Sequence, residues 1–393
     1  MTSNSEETVT NGLVVALNGC SPAIIFPAWN ALQPERRMGG EQAAFRTTLR
    51  RNRTTPGGRS ATRRTGARWH GRKERSRPDK GAKVLDQFFS QISFVDIFNF
   101  CVFLTFTICY TYQLYYVFVV LTRKPKELTA KKNHKFAAVI SARNESAVIG
   151  DLIHSIKVQN YPSELIDVFV IADNCTDDTA RVAREAGAIV FPRSNDKEVG
   201  KGYALDYGFQ CIRERYADKG YEAYFVFDAD NVLDVNYFRE MNKTFDNGAK
   251  ASTSYRNSKN YDSNWISAGY AVWFLREAKF LNQARLALNT SCAVSGTGFF
   301  IAADIIEKNG GWKWHLLTED IEFSANSILE GTRISYTPTA ILYDEQPITF
   351  RDSWNQRFRW AKGFYQVFWH YGARLAKGIA VNPKGARFAC YDM

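Results

Sequence analysis

The pattern of apolar and polar positions divides the chain into three parts. Residues 1–83 have almost no periodic apolar residues, and the stretch from Ile97 to Leu121 is apolar and aromatic almost throughout. From about residue 133, short apolar runs alternate with amphipathic stretches. A segment without periodic apolar residues cannot bury enough surface to offset its chain entropy, so the first part is predicted to be a disordered, arginine-rich tail.

The third part predicts an α/β domain. Short apolar runs bounded by turn residues indicate strands, and the longer amphipathic stretches between them indicate helices. Strands that alternate with helices form a mostly parallel central sheet covered on both faces, which we expect over residues 133–377. The predicted strands are 136–141, 166–172, 188–191 and 224–227, and the predicted helices are 145–159, 176–186 and 201–216.

The apolar stretch in the middle is long enough to cross a membrane. Only Asn99 and Gln113 interrupt it as strongly polar residues, and a hydrocarbon layer of about 30 Å needs about 20 helical residues. The pattern therefore predicts a transmembrane helix over residues 94–121. A signal peptide is not expected, because the run starts too deep in the chain. Both flanks are basic, so the positive-inside rule does not decide the orientation.

Charge is distributed unevenly along the 393 residues. The formal net charge is +11, and nearly all of it lies between Glu35 and Lys83, so it says nothing about the substrate of the third part. Such a tail attracts anionic lipid headgroups or RNA. A solvated tail, or a wrongly assigned start of the gene, is the competing interpretation. The seven cysteines show no metal-binding spacing and suit a reducing compartment.

Three short motifs contain the main candidate catalytic and metal-binding residues. Asp228-Ala229-Asp230 follows the predicted strand 224–227, Thr318-Glu319-Asp320 begins a predicted helix, and Gln356-Arg357-Phe358-Arg359-Trp360 lies on a later helix. Two carboxylates two residues apart, on the turn that leaves a strand, can reach one hard divalent cation, and ligands of open α/β sheets bind at that edge. Such a cation would hold a diphosphate. Thr318 is expected to cap its helix, which ends near Leu329.

Together the motifs resemble those of the family 2 glycosyltransferases, inverting enzymes with a GT-A fold, and especially the membrane-bound branch with the cellulose, chitin and hyaluronan synthases. The likeness covers roughly Lys135 to Tyr371 and includes the segments 141–145, 171–179 and 200–205. It implies a UDP-sugar donor with glucose or N-acetylglucosamine, a glycan or lipid acceptor, a β-linkage, and Mg or Mn as cofactor. It also implies a cell-membrane protein whose catalytic domain faces the cytoplasm. Nucleic acid is not expected as a partner.

The same resemblance implies a role for individual residues. Asp320 matches the general base, which must take a proton from an acceptor hydroxyl whose own pKa is far above neutrality. Asp230 matches the direct metal ligand, and Asp228 orders the nucleotide or the water shell of the metal. Arg359 matches the cation that stabilises the departing diphosphate. The remaining matches are Ala142, Arg143, Asn144, Asp173 and Lys201 for the nucleotide sugar, and Glu319, Gln356 and Trp360 for the acceptor.

Structural explanations compete with several of these roles. Asp173 could be a solvated acid at a capped helix start, Lys201 an ordinary surface lysine, and Asp320 a helix-capping carboxylate. Arginine beside tryptophan, as in Arg359-Trp360, is also a common packing pair on amphipathic helices.

Two other functions fit part of the pattern. A nucleotidyltransferase also uses paired carboxylates, but it needs a glycine-rich basic loop after the first strand, which residues 141–145 do not supply. A membrane-tethered binding protein with an inactive transferase domain is disfavoured because all the expected carboxylates are present. Enzymes of the resembling branch have more spans after the Arg-Trp motif, so residues 378–393 are expected to be the truncated end of a longer protein.

Overall fold

The computed structural model describes residues 93–393, and the predicted tail, residues 1–83, lies outside the described residues. The described chain falls into two units, residues 93–109 and residues 110–393, which are described separately. The first contains most of helix α1, Phe94–Tyr110, in which no side chain is buried. Within the described part of the chain, Phe94–Thr122 is the one helical stretch that is long and apolar enough to cross a membrane, judged by length and composition.

Helix α2 (Tyr112–Thr122) belongs to the larger unit and packs within it. The side chains of Tyr116 and Val120, on this helix, form an apolar cluster with Ala284. The hydroxyl groups of Tyr112 and Tyr116 each donate a 2.6 Å hydrogen bond to the carboxylate of Asp392. The end of the apolar stretch is therefore joined to the larger unit by both apolar and polar contacts.

An eight-stranded mixed sheet forms the centre of the larger unit. The strands, in chain order, are β1 (Phe136–Ala142), β2 (Ile166–Asp173), β3 (Ile189–Arg193), β4 (Ala223–Asp228), β5 (Val232–Leu233), β6 (Ala251–Ser258), β7 (Phe299–Ala302) and β8 (Ile334–Asp344). Their order across the sheet is β3-β2-β1-β4-β7-β6-β8-β5. The first four strands are parallel, as predicted, and β6 pairs with β8 in the same sense. Antiparallel pairing of β7 with β4 and β6, and of β5 with β8, makes the other half mixed.

Helices cover both faces of this sheet. They are α3 (Ile149–Lys157), α4 (Thr179–Glu185), α5 (Lys201–Arg215), α6 (Tyr237–Asp246), α7 (Trp265–Arg276), α8 (Gln283–Ala287), α9 (Ala303–Lys308), α10 (Glu319–Leu329), α11 (Phe350–Val381) and α12 (Lys384–Asp392), with a π-helical segment, Glu277–Asn282, between α7 and α8. Helices α3 and α4 begin later than predicted. The polar groups ahead of them bond across the two loops instead, as Asn144 does to Thr176.

Alternate residues of β1 enter opposite sides of the core. Phe136 and Ile140 pack with Phe225 on one face, and Val139 packs with Ile171 on the other. Side chains of a strand alternate between faces, so a strand that is apolar at every position must be covered on both sides. This explains why the parallel strands read as continuous apolar runs in the sequence.

The parallel pairing brings the carboxyl ends of three strands to one edge. Ala142 of β1 lies beside Ala172 of β2, and Ser141 of β1 lies beside Asp228 of β4. The residues that follow these strands therefore share one rim of the sheet, where the functional residues were predicted.

Candidate active site

The loops after β1 and β2 are tied to each other. Asn144 and Asn174 have φ of +57° and +51°, a left-handed conformation that asparagine tolerates better than most residues. The Asn144 Oδ1 atom accepts a 2.8 Å hydrogen bond from the Thr176 N–H. Asn174 Oδ1 accepts from the N–H of Asn195 at 2.8 Å. These bonds fix the backbone next to Ala142, while the Arg143 side chain is exposed.

Asp173, at the end of β2, forms a buried ion pair that the sequence did not predict. The Arg193 Nη1 atom donates to Asp173 Oδ1 at 2.6 Å, and both side chains are almost fully buried. The interpretation of Asp173 as a solvated acid is therefore wrong. Its second oxygen, Oδ2, accepts no hydrogen bond from the described residues, and Arg193 is itself held by the carbonyl of Glu198.

Lys201, the first residue of α5, lies at the centre of the site. Its ammonium group donates to Asp228 Oδ1 and, at 2.7 Å, to the carbonyl of Gly296, and it lies 3.7 Å from Glu319 Oε1. Burial acts to lower the pKa of Lys201, but the charges of Asp228 and Glu319 outweigh it and raise that pKa. Lys201 is therefore not an ordinary surface lysine, because it joins the first acidic motif to the second.

Gly296 also binds the second acidic motif. Its N–H donates to Asp320 Oδ2 at 2.6 Å. Burial raises the pKa of Asp320, while hydrogen bonds from backbone N–H groups, including that of Gly296, and the charge of Lys201 oppose this rise. The neighbouring Glu319 is buried, and that burial raises its pKa to about 8 against the opposing charge of Lys201.

Thr318 does not cap α10, contrary to the prediction. Its side chain makes no cap hydrogen bond, and its Oγ1 atom is buried without a hydrogen-bond partner among the described residues. Helix α11 approaches the Thr318 side chain closely. A Cβ atom placed on Gly363 would lie 2.6 Å from Thr318 Oγ1, so the missing side chain at Gly363 is what lets α11 contact the Thr318 side chain.

Asp230 belongs to a second polar network, which includes Asn231, Asp344 and Arg256. The Asn231 Nδ2 atom donates to Asp230 Oδ1 at 3.2 Å and to Asp344 Oδ1 at 2.8 Å. Asp344 is paired with Arg256, whose Nε atom lies 2.9 Å from Asp344 Oδ2. Burial, together with the negative charges of Asp344 and Asp228, raises the pKa of Asp230 to about 8.

The donor set fits a divalent cation held partly by substrate. Asp228 and Asp230 supply carboxylate oxygens, and a cation would offset both the burial and the neighbouring negative charges that raise the pKa of Asp230. Within residues 93–393, no group of three or more His, Cys, Asp or Glu side chains is arranged to hold a metal ion. Two carboxylates completed by phosphate and water are the usual arrangement for Mg²⁺.

The third motif lies on α11 and is less closely joined to the site. Arg359 is exposed and makes no hydrogen bond or ion pair with the described residues, and Trp360 packs against Tyr270 with ring centroids 5.9 Å apart. The Gln356 Oε1 atom is buried without a hydrogen-bond partner among the described residues. Arg359 is four residues before Gly363 and shares its helix face, which meets Thr318. Of the four side chains expected around one cleft, Asp228 is linked to Asp320 through Lys201 and Gly296, and to Asp230 through Asn231. Arg359 makes no such link with the described residues.

Sequence reasoning missed several charged residues that complete the networks. Asp344 and Arg256 lie at or near the ends of β8 and β6, and Arg193 ends β3. A charged residue at the carboxyl end of an apolar strand is the same signal that identified Asp228. Strands β6 and β8 were overlooked because they are rich in serine, threonine and tyrosine rather than continuously apolar, whereas β3 was predicted but was expected to end at residue 191.

Comparison with protein families gives one clear match. The model of the family described as "Glycosyltransferase like family 2" matches residues 134–363. Among curated proteins, a probable glycosyltransferase, YdaM, of Bacillus subtilis is 26% identical over 255 residues, which are 63% of this chain and 59% of that protein. A beta-monoglucosyldiacylglycerol synthase of Synechocystis is 25% identical over 249 residues, 63% of this chain and 50% of the synthase. The chain thus spans between half and three fifths of the length of these relatives.

Solved structures with a similar overall arrangement include the following one. It is a mannosyltransferase of Pyrobaculum calidifontis, in complex with GDP-Man and Mn²⁺, with a TM-score of 0.52 and 17% sequence identity. The match covers 72% of this chain and 77% of that one. At this identity the likeness establishes the fold alone, and it agrees with the predicted GT-A architecture.

Proposed function

The chain belongs to glycosyltransferase family 2, and from that membership we propose that it transfers glucose or N-acetylglucosamine from a UDP-sugar to a glycan or lipid acceptor. The proposed reaction inverts the anomeric configuration and forms a β-linkage. The name of the Synechocystis relative supports a lipid acceptor, and the resemblance to polysaccharide synthases supports a growing glycan.

One observation supports this proposal more than any other. Gly296 donates its N–H to Asp320 and accepts from Lys201 through its carbonyl, and Lys201 is bonded to Asp228. One lysine and one glycine thereby separate Asp320, which is suited to deprotonate an acceptor, from Asp228, which is suited to a cation that would hold the diphosphate. This linkage supports the proposal that the two groups act on opposite sides of one anomeric carbon.

Asp320 is the general base of the proposed mechanism. It takes the proton of an acceptor hydroxyl while the hydroxyl oxygen forms a bond to the anomeric carbon. The bond between that carbon and the diphosphate breaks on the opposite face, and UDP leaves with the bonding electrons. The Gly296 N–H and Lys201 favour the charged form of Asp320, which is the form that accepts the proton.

Charge on the leaving diphosphate is stabilised on the face of the anomeric carbon opposite Asp320. We assign Asp230 as the direct ligand of a divalent cation and Asp228 as the residue that orders its water shell. A bound Mg or Mn would supply neutralising charge for the diphosphate oxygens. Arg359 has a free planar fork of donors that suits phosphate oxygens, and the exposed position of its side chain leaves it available to the donor.

The uridine part of the donor fits the tied loops after β1 and β2. The backbone of Ala142, Arg143 and Asn144 forms one wall, and the Oδ2 atom of Asp173 remains available for a base or ribose donor. Lys201 would exchange part of its contact with Asp228 for phosphate oxygens. For the acceptor, Glu319 faces Lys201 and helps to position α10, while Gln356 and Trp360 lie on α11.

The apolar stretch and α11 support a membrane location for the protein. Phe358, Tyr365 and Trp369 are exposed by 67%, 70% and 85%, and their spacing of seven and four residues places them on one face of the helix. Basic residues such as Lys362 and Arg374 lie among them, a pattern typical of a helix in a membrane surface. We propose that the catalytic unit faces the cytoplasm, where nucleotide sugars are available to the resembling enzymes.

The test is a screen of UDP-sugars for metal-stimulated UDP release by the full chain in membranes. Asp320→Asn should abolish sugar transfer and leave the Kd of UDP in the presence of Mn²⁺ nearly unchanged, because asparagine keeps the shape of the side chain but cannot take the proton. Glu307→Gln, which likewise replaces a carboxylate by its amide but on an exposed part of α9, is the matched control. Turnover retained in Asp320→Asn removes this residue from the base role, and the absence of UDP release with every donor refutes the proposed function.

A further inference from the structure

A single peptide unit lies between Arg256 and the proposed base. The Arg256 Nη1 atom donates to the carbonyl of Ser295 at 3.0 Å. The N–H of the same peptide unit, which belongs to Gly296, donates to Asp320 Oδ2 at 2.6 Å. Because the peptide is planar and trans, its carbonyl and N–H point in opposite directions. Holding the carbonyl therefore fixes where the N–H points.

Arg256 is itself held on several sides. Its Nε atom lies 2.9 Å from Asp344 Oδ2, and Gln346 donates to the same carboxylate oxygen at 2.7 Å. The guanidinium stacks 4.0 Å from the ring centroid of Phe274. A planar group with donors in fixed directions, packed against a ring, has little freedom to move. The position of the Ser295 carbonyl is therefore set by a rigid support.

The peptide needs such a support because of the glycine that follows it. Gly296 has φ of +78°, a region that glycine enters without steric penalty, and besides Arg256 the Ser295 carbonyl is held by a 2.9 Å hydrogen bond from the N–H of the neighbouring Thr297. A rotated peptide would present its carbonyl, instead of its N–H, to Asp320. The carboxylate would lose a hydrogen bond and face a negative dipole, so it would turn away.

We propose that Arg256 is a positioning residue for the general base, acting through the Ser295–Gly296 peptide. This inference rests on the proposed function, since it concerns the same site. The other charged groups around Asp320 are Lys201, Glu319, Asp228 and Glu277. Of the basic residues of the site, Arg256 alone is bonded to the carbonyl of the peptide that binds Asp320, among the described residues.

The test compares two substitutions at Arg256 in the full chain. Lysine has one ammonium group, which can keep either the pair with Asp344 or the bond to Ser295 in good geometry, and methionine can keep neither. Loss of a charge-assisted hydrogen bond predicts a decrease in kcat of about tenfold for Arg256→Lys and about a hundredfold for Arg256→Met. The KM of the donor and the Kd of UDP with Mn²⁺ should change by less than about twofold, because the lost interaction acts in the transition state.

Arg285→Lys is the matched control. Arg285 is equally buried and pairs with Asp392, with Nε 2.7 Å from Oδ2, but it contacts no residue of the site. The Arg285→Lys variant should lower the melting temperature about as much as Arg256→Lys does, while its kcat stays at the wild-type value. If Arg256→Met fails to fold, the comparison of Arg256→Lys with Arg285→Lys alone tests the inference. A wild-type kcat in folded Arg256→Lys, or an equal loss of kcat in Arg285→Lys, overturns the inference. Absence of UDP release in the wild type refutes the proposed function instead.

Discussion

Gly202 is the second residue of α5 and allows that helix to contact the loop before the Thr318-Glu319-Asp320 motif. A Cβ atom at this position would overlap the carbonyl oxygen of Trp314 and lie 2.9 Å from the Cα atom of His315. Both are backbone atoms, so no side chain can rotate to make room. Since ordinary van der Waals contact begins near 3.4 Å, Gly202→Ala must move α5 and the loop apart by at least 0.5 Å.

The change in the free energy of unfolding of Gly202→Ala results from two opposing effects. Overpacking of this kind costs about 1 to 3 kcal/mol, and the higher helix propensity of alanine returns up to about 1 kcal/mol. We expect a net loss of about 1 to 2 kcal/mol. The shift also separates Lys201 from Glu319 and Asp320, and a displacement of this order in a catalytic site lowers kcat by about tenfold.

The assay combines unfolding by urea with UDP release, both on the full chain in detergent. Gly269→Ala is the control, because Gly269 lies within α7 and a Cβ atom there would meet nothing within 4 Å. That variant should be as stable as the wild type or up to about 1 kcal/mol more stable, with unchanged kcat. If Gly202→Ala behaves like Gly269→Ala in both measurements, the close approach of α5 to the Trp314 loop is not present in the protein.

Two further predictions concern charge. Glu319 has a folded-state pKa of about 8 against a usual value of 4.5, so its contribution to stability is present at low pH and is lost as the pH rises from about 4.5 to about 8. Without divalent metal, the melting temperature should fall as the pH rises over this range. Glu319→Gln should make this fall smaller, and the control Glu307→Gln should leave it unchanged. An unchanged fall in Glu319→Gln would contradict the raised pKa of Glu319. Arg193→Met leaves Asp173 buried without its partner and should lower the free energy of unfolding by about 3 to 5 kcal/mol and weaken UDP binding, as calorimetry would show. Arg181→Met, at an exposed ion pair, should change neither, and a silent Arg193→Met would refute the role of the buried pair.

Much of the nucleotide half could be predicted because its signals are local. Continuous apolar runs identified β1, β2 and β4 to within one residue, and the turn residues after them marked the sheet edge. The acceptor half was harder. Strand β6 is ASTSYRNS, a polar segment whose strand character comes from pairing with β7 and β8, which are distant in sequence. Its pattern alone favours a loop.

The sequence by itself determined the family, the parallel half of the sheet and the carboxylates that the chemistry requires, because each depends on residue type and spacing within a short segment. Only the tertiary structure decided which groups balance those carboxylates. Lys201 bonds to Asp228, Arg193 to Asp173, and Arg256 to Asp344, across 20 to 88 residues of intervening chain. An ion pair between two strands depends on strand order and on burial, and neither quantity is encoded in the spacing of the two residues along the chain.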